Sequence, residues 1–142
     1  MVRWLAFLAL VGGAQAQTPD AFYAKTPVTV MVGTSAGGAY DAYGRLVGRH
    51  LGKHLPGAPT VTVQNMPGAG GLTAANHLYN TAPKDGSYIG LFSRSIPLQP
   101  IIDATGARFD AMKFNWIASP TTDVSIVFSW GTSAFKIGRA HV

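Results

Sequence analysis

The sequence predicts an α/β fold in which βαβ units build a parallel-rich sheet, and two observations predict it. Apolar, β-branched runs alternate with stretches of helical periodicity, the pattern that places crossover helices over parallel strands. Twice, such a run passes through a glycine-rich turn straight into a helical pattern. The first is Val28-Thr29-Val30-Met31-Val32, then Gly33-Thr34-Ser35-Ala36-Gly37-Gly38; the second is Val61-Thr62-Val63-Gln64-Asn65, then Met66-Pro67-Gly68-Ala69-Gly70-Gly71.

Taken in order, the elements start with a secretory signal. Arg3 supplies a positive n-region, Trp4 to Val11 a short apolar run, and Ala14-Gln15-Ala16 a small-residue cleavage pattern before Gln17. Residues 1–16 are therefore expected to be removed on export, and the run is shorter than the ~20 residues a bilayer span needs. The chain has no cysteine, which rules out lipid attachment at the cleavage site and any disulfide. After a short segment, Asp20 to Lys25, come the strand Val28–Val32 and a helix from Ala39 to Leu55. Tyr43, Leu46, Val47, His50, Leu51 and Leu55 share one face of that helix. Arg45, Arg49 and Lys53 fall on another stripe, read as solvated.

Pro56-Gly57-Ala58-Pro59 stops the helix and leads into the strand Val61–Asn65. A short alanine-rich helix, Leu72 to Tyr79, is followed by the turn Ala82-Pro83-Lys84-Asp85-Gly86 and a third strand, Tyr88 to Phe92. Trp116–Ser119 and Val124–Phe128 are predicted as two further strands. The last residues, 137–142, carry no strand or helix logic, and they can be encoded by a common sequencing-adapter sequence read in frame. They are expected to be an artefactual tail on a truncated fragment, so Arg139 and His141 receive no functional weight.

The formal charge of +5 falls to +3 once Arg3 and Arg139 are set aside. With no basic run or stripe, nucleic acid is not an expected partner. Neither glycine turn ends in Gly-Lys-Ser/Thr or fits G-x-G-x-x-G, so no nucleotide cofactor is expected. His50 and His54 have the i, i+4 spacing of a metal pair, but Leu51-Gly52-Lys53 between them lacks the glutamate of a zinc protease. No third ligand clusters nearby, so no metal site is assigned.

A strand–glycine–helix turn aims bare N–H groups and a helix dipole at one spot, which suits a carboxylate or phosphate. The same glycines can equally serve only as tight βα turns. In parallel sheets ligands sit outside the carboxyl ends of the strands. That rule brings Gly33–Gly38, Met66–Gly71 and Phe92–Ser95 to one edge. Asp41, in the first helical turn, either complements the helix dipole or orients the first glycine loop; its charge argues against direct contact with an anion. Arg94 after the third strand can clamp a carboxylate or project into solvent.

One alternative is catalytic. Gly33-Thr34-Ser35-Ala36-Gly37 fits the nucleophile elbow G-x-S-x-G of α/β hydrolases, with Ser35 as nucleophile. Its place after the first strand argues against this reading, as does the placing of the downstream histidines outside the tail, His50, His54 and His77, all within predicted helices.

The stretches Gly33-Thr34-Ser35-Ala36-Gly37-Gly38-Ala39-Tyr40-Asp41, Gln64-Asn65-Met66-Pro67-Gly68-Ala69-Gly70-Gly71 and Ala82-Pro83-Lys84-Asp85-Gly86 resemble the Bug/TctC family. These are periplasmic solute-binding proteins of tripartite tricarboxylate transporters. The resemblance runs from about Phe22 to Phe135. It implies a two-lobed flytrap of the periplasmic-binding-protein type, without catalysis or cofactor, that closes as a monomer on a small carboxylate and delivers it to membrane permease subunits. On that basis residues 17–118 form the N-terminal part of the first lobe, residues 119–136 cross into the second, and most of the second lobe is absent. The implied ligand-binding residues are Thr34, Ser35, Ala36, Gly37 and Gly38, with Pro67, Gly68, Ala69 and Gly70 opposite and Ser93 after the third strand. Thr34-Ser35-Ala36 departs from the Pro or Ala followed by small residues of many members, which bears on ligand choice. A sensory or chaperone role on the same architecture is a third reading.

Overall fold

The computed structural model describes residues 18–103, 105–122 and Thr132. Three strands, β1 (Val28–Val32), β2 (Val61–Asn65) and β3 (Tyr88–Leu91), form a sheet of order β2-β1-β3. All pairing is parallel, with Val28 opposite Val61 and Thr29 opposite Tyr88. The predicted α/β class with a parallel sheet is what the fold shows. The signal segment, the strand at Val124–Phe128 and the tail lie outside the described residues.

Among the described residues four α-helices accompany the sheet: α1 (Pro19–Tyr23), α2 (Ala39–Leu51), α3 (Leu72–Asn80) and α4 (Gln99–Ile102). The segment before β1 is thus helical, and Thr18 caps it by accepting from the Ala21 N–H. No helix among the described residues is long and apolar enough to cross a membrane.

Side chains alternate across a strand, so neighbouring residues report opposite faces. On one face, α2 lies so close that a β-carbon on Gly44 would sit 2.5 Å from Val32 Cγ2, and one on Gly48 would sit 2.6 Å from Val63 Cγ2. On the other, the Cβ direction of Gly33 points at Ala74 of α3, and that of Gly90 at Leu78. The sheet is therefore covered on both faces, which explains why β1 reads as a continuous apolar run. Val28, Val30, Met31 and Val32 are all buried.

This packing corrects the expected α2 face. Tyr43, Val47, Leu51 and Leu55 of that face are half-buried, but Leu46 is 49% exposed and His50 is exposed, whereas Gly44 is buried. The sheet takes the smallest residues of the helix because the bulk is already supplied by the strand valines. The helix also stops earlier than expected: Leu51 gives way to a 3-10 turn, Gly52–His54, where the returning Pro59 carbonyl packs on Gly52.

Behind α3, Leu72, Ala75, Ile96, Ala107 and Phe109 make a second apolar cluster. Phe114 is its hub, with ring centroids 5.5 Å from both Tyr79 and Phe109. Residues 106–108 are held there by Asn76, which donates to the Gly106 carbonyl at 2.9 Å and accepts from the Arg108 N–H at 2.7 Å. Trp116–Ser119 forms no strand. It is exposed, and Trp116 instead donates its indole N–H to the Ala111 carbonyl. A strand needs a neighbour to pair with, and among the described residues this run has none.

Candidate functional site

The chain leaves β1 toward α2 on one face of the sheet and leaves β3 toward Ile96 and the α3 cluster on the other. Between two neighbouring strands whose continuations diverge in this way, a parallel sheet opens a crevice at its carboxyl edge. The β1–β3 junction is that point, and β2 ends beside it.

Backbone bonds carry all three loops off the sheet together. Met66 N–H donates to the Val32 carbonyl at 2.8 Å, and Gly33 N–H donates to the Leu91 carbonyl at 3.0 Å. Gly33 is the common neighbour. A β-carbon there would lie 3.1 Å from the Phe92 ring and 3.4 Å from Gly71 Cα. Residues 35–38 and 67–70 are exposed, while Thr34 and Ser93 are half-buried. The structure thus brings Thr34, Ser35, Ala36, Gly37 and Gly38 to the same edge as Pro67, Gly68, Ala69, Gly70 and Ser93. Ser93 and Ser95 hydroxyls are 3.1 Å apart, and the Arg94 N–H donates to the Tyr40 hydroxyl at 3.4 Å, bridging the β3 loop to α2.

The second turn has a backbone only glycine supports well. Gly68, Ala69, Gly70 and Gly71 all have positive φ, at 135°, 46°, 64° and 100°. This run of inverted residues compresses the entry to α3 into a turn closed by the Gly71 N–H donating to the Gly68 carbonyl at 2.9 Å. The first turn inverts once, at Gly37, φ 89°.

Asp41 organises the first turn. It is 3% exposed, and its Oδ2 accepts from the Gly37 N–H at 2.8 Å and from Arg45 Nε at 2.9 Å. Its Oδ1 accepts from Asn65 Nδ2 at 2.9 Å, and the same amide donates to the Thr34 carbonyl at 3.0 Å. Of the two readings of Asp41, loop orientation is the one the geometry carries. Arg45 is not simply solvated, as its stripe suggested, but ion-paired. One consequence for the first turn follows: the Gly37 N–H is already committed to Asp41, so Gly37 contributes a conformation, and the N–H groups of its exposed neighbours are the donors available to an anion.

Hydrogen bonds from Arg45, Gly37 and Asn65 hold the Asp41 carboxyl down to about 2, from an ordinary 3.8, against the opposing cost of desolvation. Asp85, held by the Ser87 hydroxyl and N–H, and Asp103, held by the Gly106 N–H and the Thr105 hydroxyl, are lowered too. A carboxyl lowered by folding stabilises the fold wherever both states are ionised, above about pH 4. That stability drains as the unfolded chain protonates first, and it is gone below about pH 2. Denaturant midpoints should therefore fall between pH 4 and pH 2, and Asp41→Asn should flatten part of that fall, leaving the share of Asp85 and Asp103. An unchanged acid limb in Asp41→Asn would contradict the assignment.

The hydrolase alternative gains nothing from the backbone. A nucleophile elbow strains its serine, but Ser35 is not at positive φ, since Ala58 and Ala69 are the only such non-glycine positions among the described residues. His77 lines a surface hollow with Asn76, Asn80, Thr81 and Arg108, none of them from the glycine turns. His50 and His54 are both exposed, and no group of three metal-ligating side chains gathers among the described residues. Asn65 and Tyr40 are the residues the sequence reading passed over. A polar amide closing a strand beside an Asp/Arg i, i+4 pair was the available signal for the first.

No family model matches the chain. Over 112 residues, 79% of its length, the chain is 35% identical to the UPF0065 protein in the TAR-I ttuE-ttuC' intergenic region of Agrobacterium vitis. It spans 28% of the length of that relative. The likeness is thus to a UPF0065 (Bug-family) protein, and the region it covers includes the parallel α/β lobe whose glycine turns gather at one edge.

Proposed function

We propose that the chain forms part of an extracytoplasmic solute-binding receptor, in which the glycine turns after β1 and β2 and the Ser93 loop hold a small carboxylate. The observation that carries this reading is the convergence of three sequence-distant loops, two of them opening the helices α2 and α3, at the carboxyl edge of the sheet. Exposed N–H groups at two helix starts complement a carboxylate without a balancing positive side chain. Thr34, Ser35, Ala36, Gly38, Gly68, Ala69 and Gly70 supply backbone contacts, Gly37 and Pro67 shape the turns, and Ser93 adds a hydroxyl.

The TctC-type role extends the reading: capture of a di- or tricarboxylate in the periplasm, after export by the signal at residues 1–16, and delivery as a monomer to the permease subunits of a tripartite transporter. The closing half of the cleft belongs to a second lobe, and no chemistry is performed on the ligand. Isothermal titration of the full-length protein against a panel of di-, tri- and monocarboxylates tests this. Saturable binding of at least one acid at micromolar or tighter Kd, with no turnover of aryl esters, is expected. Ester hydrolysis lost in Ser35→Ala would replace this reading with the hydrolase.

A further inference from the structure

We propose that Asn65 is a positioning residue that locks the two glycine turns into one rigid unit, so that a ligand engaging either turn finds the other already in place. The inference rests on the binding reading above and adds a residue that touches no ligand in it. Asn65 ends β2 and immediately precedes the second turn. Its amide nitrogen has two hydrogens, and both are used on the first turn: one on the Thr34 carbonyl at 3.0 Å, one on Asp41 Oδ1 at 2.9 Å. Its amide oxygen faces Arg45 Nη2 at 3.4 Å. Asp41 in turn holds the Gly37 N–H. The path from Met66 through Asn65 to Thr34 and Gly37 thus consists of short polar contacts, one of them to a charged carboxylate, where hydrogen bonds are strongest.

The backbone explains why such a tie is needed. The second turn has four successive positive-φ residues, three of them glycine, and glycine has the most conformational freedom to lose on ordering. Exposed on the outer side and built of residues with little side chain to pack, both turns would otherwise be ordered only on binding, at the expense of affinity. The side-chain amide is the right chemistry for the tie. Aspartate at this place would offer no donor to Thr34 and would face Asp41 with like charge, and leucine of similar size would leave the Thr34 carbonyl and Asp41 each short of a donor.

Hydrogen–deuterium exchange of the ligand-free full-length protein tests the tie independently of any ligand. Asn65→Ala is expected to speed exchange at least tenfold at the bonded amides of both segments, Gly37 within 34–38 and Met66 and Gly71 within 66–71, while the amides of β1 stay protected. Arg45→Met, which leaves both Asn65 donations in place, is expected to leave 66–71 unchanged and serves as the folded comparison. Asn65→Ser provides a milder truncation should Asn65→Ala not fold, and is expected to act in the same two segments. Acceleration confined to 66–71 would overturn the proposal, as would equal acceleration across β1, which marks a general loss of stability. Should exchange behave as expected and no carboxylate bind, the tie stands and the binding reading falls.

Discussion

Gly44→Leu is expected to destabilise the protein by an amount at or above the top of the ~1–3 kcal/mol range typical of overpacked cores. Helix propensity alone points the other way, since leucine exceeds glycine in a helix interior by a large part of a kcal/mol. Packing decides the sign. The first carbon of the new side chain would lie 2.5 Å from Val32 Cγ2, with Leu91 Cδ2 and Val63 Cγ1 both at 3.6 Å. Valine is stiff at χ1 and Val32 is fully buried, so it has nowhere to turn. Gly44→Ala should show the same sign at smaller size, and Gly48→Ala, against Val63 on a different strand, should add to it nearly independently. Urea midpoints of the full-length protein measure all three. A midpoint raised by Gly44→Ala would mean that α2 stands off the sheet.

Gly68→Val is expected to abolish carboxylate binding, a loss of at least a hundredfold in affinity, or about 2.7 kcal/mol. Gly68 has φ 135° and ψ 140°, a region glycine enters freely and a β-branched residue does not. Its added β-carbon would also meet Thr73 Oγ1 at 2.6 Å. The turn must rearrange, and with it the N–H groups at the start of α3. Gly70→Ala gives the contrast: at φ 64° it carries only the ~1–2 kcal/mol penalty of the left-handed region, and a β-carbon there meets nothing within 4 Å. Affinity should fall much less. Equal losses for the two variants, read by titration calorimetry, would show that the detailed shape of the turn is immaterial.

The strands and the two βα turns were legible because β1 and β2 are runs rich in β-branched residues lying between proline and glycine turns, because β3 is an apolar run after the turn at Gly86, and because β1 lies buried on both faces. The edge where the turns meet followed from the parallel-sheet rule. The inward face of α2 was not legible. An apolar-moment argument searches for large residues, whereas here Gly44 and Gly48 face the sheet and Leu46 points outward. Trp116–Ser119 reads as a strand by composition, but pairing depends on a neighbour that composition does not supply. At the site, the loop-organising side of Asp41 was visible in its position. The reach of Asn65 from the end of one strand to the loop of another was not, because that contact spans 31 residues to Thr34 and exists only once β1 and β2 pair.

The central claim is that the backbone of the two glycine turns holds a carboxylate, and a two-dimensional amide NMR titration of the full-length protein with a di- or tricarboxylate tests it most directly. The account predicts the largest movements at Ser35, Ala36, Gly38, Ala69 and Gly70, with Gly37, already bonded to Asp41, moving least among the loop glycines. Saturable shifts centred instead on Asn76, His77 and Arg108 would contradict it.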